Sequence, residues 1–140
     1  MTNRAFQLDG VTVRYGEKAV LCDVTCAFQA GEFVAVAGPN GAGKSTMLGV
    51  MSGLRPATEG KCSYDGKDVR KWDRRAFARD VAVVPQSIRI DFPFTAEQVV
   101  LMGRAPFASA LFESDEDRYQ VTRVMQLMGT SGFATASFAR

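Results

Sequence analysis

Nine residues, Gly38-Pro39-Asn40-Gly41-Ala42-Gly43-Lys44-Ser45-Thr46, follow directly on the apolar run Phe33-Val34-Ala35-Val36-Ala37. An apolar run with no polar alternation predicts a strand over 33–37 that is covered on both faces. The glycines after it predict a tight loop, and Gly43-Lys44 opens a helix with Met47, Val50, Met51 and Leu54 at helical spacing. Gly53 and Pro56 stop that helix. Strand, glycine loop and helix in this order place the chain in the α/β class. The nine residues fit G-x-x-x-x-G-K-[ST], the loop that cradles a nucleoside triphosphate.

The chemistry explains the spacing. A triphosphate carries several negative charges, and binding must replace its hydration with fixed donors. Glycine lets the backbone wrap closely enough for successive N–H groups to face the phosphate oxygens. Asn40, Gly41, Ala42, Gly43, Lys44, Ser45 and Thr46 form this candidate triphosphate contact, at the positive end of the helix dipole. Lys44 is expected to reach the β- and γ-phosphates as a point charge, and the Ser45 hydroxyl to ligate Mg²⁺.

Elsewhere, Phe6, Leu8, Val11, Val13 and Tyr15 alternate around Asp9-Gly10, predicting a strand with a bulge or tight turn. Gly16-Glu17-Lys18 turns the chain into a second half-buried strand through Val24, Cys26 and Phe28. Asp65-Gly66 is a two-residue hairpin signal. Asp73 can cap a short helix containing Phe77, and residues 81–84 predict another fully apolar strand before Pro85. Thr95-Ala96-Glu97-Gln98 fits a capping box opening a helix stopped at Gly103. A last helix starts at Ser114, with acidic residues at its N-terminus and a stripe of Val121, Val124, Met125 and Met128. The tail, residues 130–140, offers apolar residues but no closing element, so it reads as a chain cut in mid-domain.

With these residues in order, the chain resembles the nucleotide-binding subunits of ABC transporters, along its whole length but over only about the first half of a family domain. Val13-Arg14-Tyr15-Gly16 looks like the aromatic loop, which implies that the Tyr15 ring stacks on adenine. Residues 38–46 match the family's phosphate loop. Val83-Val84-Pro85-Gln86 looks like its glutamine loop, which implies that Gln86 reaches Mg²⁺ and the attacking water. The segment from Asp91 to Pro106, with Phe92-Pro93-Phe94-Thr95 and Gly103-Arg104-Ala105-Pro106, is similar to the importers of iron chelates, haem and cobalamin, with manganese and zinc importers related. In the family this segment meets the membrane subunits.

The resemblance implies a P-loop NTPase fold: an antiparallel β layer joined to a RecA-like core, with a helical subdomain beginning at about Thr95. Residues 1–140 are then one incomplete ATP-binding domain. The signature motif, the Asp-Glu strand and the switch histidine are missing, and the chain contains no histidine. Arg140 is expected to lie just short of the signature. Lys44 and Gln86 supply only part of the catalytic set, so the chain is expected to bind ATP weakly, to hydrolyse it hardly at all and to aggregate. The parent is expected to be an importer ATPase that works with permease subunits and a second ATP-binding subunit on the cytoplasmic face of the membrane. The alternatives are a non-catalytic ATP-binding fragment, a manganese or zinc importer ATPase, a non-transport ABC ATPase and an unrelated P-loop kinase.

Composition narrows the setting. A net charge of +2 and no basic block argue against a nucleic-acid surface. No apolar run approaches a membrane span, and residues 1–4 lead into a strand rather than a signal-peptide core. Cys22, Cys26 and Cys62 show no C-x-x-C spacing and read as thiols in a reducing compartment.

Overall fold

Alternating residues build an antiparallel hairpin from β1 (Phe6–Tyr15) and β2 (Lys18–Phe28). Gly16 and Glu17 form its turn, and Tyr15 pairs with Lys18. The computed structural model describes residues 5–87, 92–108 and 113–138; the expectations placed on residues 1–4, Asp91 and Arg140 fall outside them. The register slips between Leu8 and Val11, so the bulge expected at Asp9-Gly10 is present, with Gly10 at φ +60.

β3 (Glu59–Tyr64) lies on the other side of β1, and β4 (Lys67–Asp68) closes the sheet, in the order β2-β1-β3-β4. Asp65 and Gly66 both have positive φ, as a primed two-residue hairpin turn requires. Gly60 (φ +73) sits at a crowded crossing: a Cβ there would come within 2.2 Å of the Gly10 carbonyl oxygen. Only glycine lets β3 pass the β1 bulge. α1 (Lys44–Met51) packs on β2 and β3 and buries Met47 and Val50, while Leu8, Val11, Val13, Leu21 and Tyr64 are among the buried residues of the sheet. α2 (Arg74–Asp80) begins where Asp73 accepts a hydrogen bond from the Ala76 N–H at 2.8 Å, and it buries Phe77 against Tyr64 and Trp72.

The chain forms two compact units, Met1–Phe77 and Ala78–Arg140. In the second, α3 (Ala96–Met102) carries the expected capping box of Thr95 and Gln98 and ends at Gly103. α4 (Asp115–Leu127) is capped by Ser114, with Asp117 completing the box.

Five expectations need correction. Residues 33–37 and 81–84 form no strand. Phe33 is 98% exposed and Val84 93%. A strand buried on both faces needs a ladder neighbour on each side and cover above and below. Among the described residues neither run has a ladder partner, so apolar content alone does not make it a strand.

Leu54 falls outside α1 and is exposed, because Gly53 at φ +68 has already turned the chain away. Val121 and Met125 are buried on α4, but Val124 and Met128 are exposed, so the covered stripe is narrower than the periodicity indicates. The tail does find partners. Ala136 and Ala134 accept from the N–H groups of Ala96 and Glu97 at 2.9 and 3.0 Å, and Thr95 bridges Ser137. The first-turn N–H groups of a helix have no intrahelical acceptor, and here tail carbonyls supply one.

Candidate nucleotide-binding site

The phosphate-loop candidate begins at Gly38 and turns sharply, with Gly41 at φ +83 and Gly43 at φ +86. Both values are left-handed and favour glycine. A Cβ on Gly43 would lie 2.7 Å from Leu21 Cδ2 and 2.8 Å from the Val20 carbonyl oxygen, so the bend is pressed against β2. Ala42 N–H donates to the Pro39 carbonyl at 3.2 Å and tightens the loop.

Gly43 is also the N-cap of α1. It offers no side-chain cap, and the first turn of α1 holds no acidic residue. The leading N–H groups of a helix lack intrahelical acceptors and carry the positive end of its dipole. With neither a capping oxygen nor a carboxylate competing for them, they suit an anion. Asn40, Gly41, Ala42 and Ser45 are exposed, and Lys44 and Thr46 half-buried. Lys44 Nζ donates to the carbonyl oxygens of Gly38 and Pro39 at 2.8 and 2.7 Å. An ammonium has three donors, so this bridge fixes the charge over the loop and leaves one donor for a phosphate oxygen.

Tyr15 stands at the end of β1, 46% exposed, with the Arg55 guanidinium 5.4 Å from its ring centroid. Arg55 is absent from the sequence-derived site. Its one sequence hint is Gly49, a poor residue for a helix interior, which leaves room for the arginine stem. The segment after α1 is stitched to β1, because Thr58 N–H donates to the Thr12 carbonyl at 2.8 Å and Thr58 Oγ1 accepts from Arg14 N–H at 3.0 Å. Tyr15 and the loop therefore belong to one unit.

Gln86 belongs to the other unit, exposed at a bend past the irregular residues 81–85. The segment after it pairs the rings of Phe92 and Phe94 at 6.1 Å, with Phe92 67% exposed. Phe107 lies under the guanidinium of Arg104, 4.4 Å from its centroid. Arg104 Nε also donates to Asp117 Oδ1 at 2.8 Å. Hydrogen bonds from Ser114 and this guanidinium hold the Asp117 carboxyl down at about 2. Arg104 thus ties the end of α3 to the cap of α4. A cavity of about 490 Å³ opens in this second unit beside Thr95, Gln98, Leu101 and Val121. It holds none of the phosphate-loop residues. The loop remains the better anion site, because phosphate is bound by convergent backbone N–H groups rather than by enclosure.

Among known families, the ABC transporter model matches residues 21–139. The chain belongs to the ABC transporter family. It is 42% identical over 130 residues to the hemin import ATP-binding protein HmuV of Streptomyces coelicolor, covering 93% of this chain and 46% of that protein. It is 41% identical over 125 residues to the cobalamin import ATP-binding protein BtuD of Halobacterium salinarum, covering 89% of this chain and 31% of that one. The chain thus spans about half the length, or less, of the curated relatives it matches. A nucleotide-free ATP-binding cassette from an ABC transporter superposes with a TM-score of 0.75 at 18% identity, over 96% of this chain and 57% of that structure. The fold class is therefore the expected one, that of ABC ATP-binding domains. Among the described residues no helix is long and apolar enough to cross a membrane.

Proposed function

We propose that this ABC-family chain binds ATP with Mg²⁺ as part of the motor subunit of an importer for haem, cobalamin or an iron chelate. The observation that carries the reading is the uncapped N-terminus of α1, wrapped by Gly41 and Gly43 and crossed by the Lys44 ammonium. The loop N–H groups and Lys44 receive the phosphates, and Tyr15 receives the adenine. The exposed Ser45 hydroxyl suits Mg²⁺. Among the described residues no group of three or more His, Cys, Asp or Glu clusters for a metal. That fits an ion held largely by phosphate oxygens and water. When bound, Mg²⁺ neutralises charge on the transferring phosphoryl group.

The cargo class rests on the HmuV and BtuD relatives. The exposed Phe92, with its ring against that of the half-buried Phe94, supports docking of that segment onto permease subunits at the cytoplasmic face of the membrane, with a second ATP-binding subunit alongside in the parent protein.

The test is Mg-ATP binding followed by chemical-shift titration, for the chain and for Lys44→Ala. The ammonium–phosphate contact is worth about 1.5–3 kcal/mol, so the substitution should weaken binding by one to two orders of magnitude. Equal affinity in the two proteins would refute the site. Hydrolysis should be close to absent, because Lys44 and Gln86 are not a complete catalytic set. Steady-state turnover that Lys44→Ala abolishes would contradict this.

A further inference from the structure

Tyr15 has a neighbour that the site as read from sequence does not contain. The Arg55 guanidinium lies 5.4 Å from the Tyr15 ring centroid, within the range of a cation–π contact. Among the described residues no carboxylate pairs with Arg55. Its stem crosses α1 at Gly49, where a Cβ would sit 2.9 Å from Arg55 Cδ and 3.1 Å from Cγ. Its backbone is held as well, since Arg55 N–H donates to the Gly49 carbonyl at 2.9 Å. Thr58, three residues on, is bonded to β1 on both sides of Val13.

A half-exposed tyrosine at a strand end rotates freely about χ1 unless something fixes it, and that freedom must be lost when a base stacks on it. We propose that Arg55 is a positioning residue for adenine: its guanidinium backs one face of the Tyr15 ring and holds the other face ready for the base. The inference rests on the ATP-binding reading and adds to it a residue and a role. It also gives Gly49 a purpose, because a helix-breaking residue in α1 is tolerated where the arginine must pass.

The experiment compares Mg-ATP with Mg-tripolyphosphate, which carries the phosphates without a base, by chemical-shift titration of the whole chain. Arg55→Ala should lower affinity for Mg-ATP about two- to fivefold, the size of an exposed cation–π contact, and leave tripolyphosphate unchanged. Gly49→Ala is the sharper variant. It should raise thermal stability through helix propensity, yet weaken Mg-ATP similarly by pushing Arg55 aside. In a Tyr15→Ala background, Arg55→Ala should cost nothing more. Equal losses on both ligands would make Arg55 a general charge and overturn the proposal. Unchanged or tighter ATP binding would overturn it too, the latter meaning that Arg55 competes with the base. If wild type binds neither ligand, the ATP reading itself falls. Independently of any ligand, the Arg55 Hε resonance should carry a ring-current shift that Tyr15→Leu removes, and no shift would refute the contact.

Discussion

Gly43 shows how much of the site depends on a missing side chain. It takes φ +86, where a Cβ is strained, and it has no space for one between Leu21 and the Val20 carbonyl. Gly43→Ala should therefore cost about 2 kcal/mol or more through left-handed strain and overpacking. The thermal midpoint should drop accordingly, and the phosphate binding proposed for the loop should weaken with it. Thiol chemistry offers a separate check on the same unit. Burial pushes the Cys62 thiol up to about 11, with the neighbouring Asp68 carboxylate and Cys26 adding to it, whereas Cys22 is exposed. At pH 8 the reactive thiolate of Cys62 is scarce and shielded. Iodoacetamide followed by peptide mass spectrometry should label Cys22 first and Cys62 only after denaturation. Rapid labelling of Cys62 in the native chain would show that β3 does not pack as described.

At the scale of elements, α4 is held by a small polar network rather than by a wide apolar face. Asp117 accepts from Ser114 Oγ at 2.7 Å and from Arg104 Nε at 2.8 Å, and its carboxyl is held down at about 2. A depressed carboxyl stabilises the fold above its ordinary value near 4, and that stability is lost as the pH falls towards 2. Asp117→Asn should be less stable than wild type at pH 7 in urea unfolding followed by helical circular dichroism. The gap should close between about pH 4 and pH 2. A gap that stays constant across that range would mean the network does not titrate.

Elements of this kind are where the sequence is most legible. Thr95 with Gln98, Ser114 with Asp117, and Asp65-Gly66 each act within four residues, so the local pattern contains the whole cause. The phosphate loop is legible for the same reason. Arg55 on Tyr15 and Arg104 on Asp117 are not, because each joins side chains brought together only by tertiary folding. Residues 33–37 and 81–84 fail in the opposite way. Their composition reports a need for burial, but a strand also needs neighbours, which no local pattern can supply.

For the molecule as a whole, those two runs set its behaviour in solution. Phe33 and Val84 are almost fully exposed, and Val34, Val36 and Val83 are each exposed on the same two segments. Unpaired backbone beside apolar side chains is a template for pairing with another chain, and such segments are the usual seeds of aggregation. Family membership fits this, because the central strands of an α/β sheet are buried on both faces. The chain should therefore self-associate with rising concentration, and light scattering at 10–100 µM, the micromolar range in which such surfaces associate, should show it. Phe33→Ser together with Val84→Asp should suppress the association while leaving the β1–β2 hairpin and α4 intact by circular dichroism, since neither residue is part of the described core. Mg-ATP should not reverse the association, because the exposed runs lie outside the loop proposed to take the phosphates. A chain that stays monomeric at high concentration without these substitutions would mean that residues 33–37 and 81–84 find cover within the same molecule.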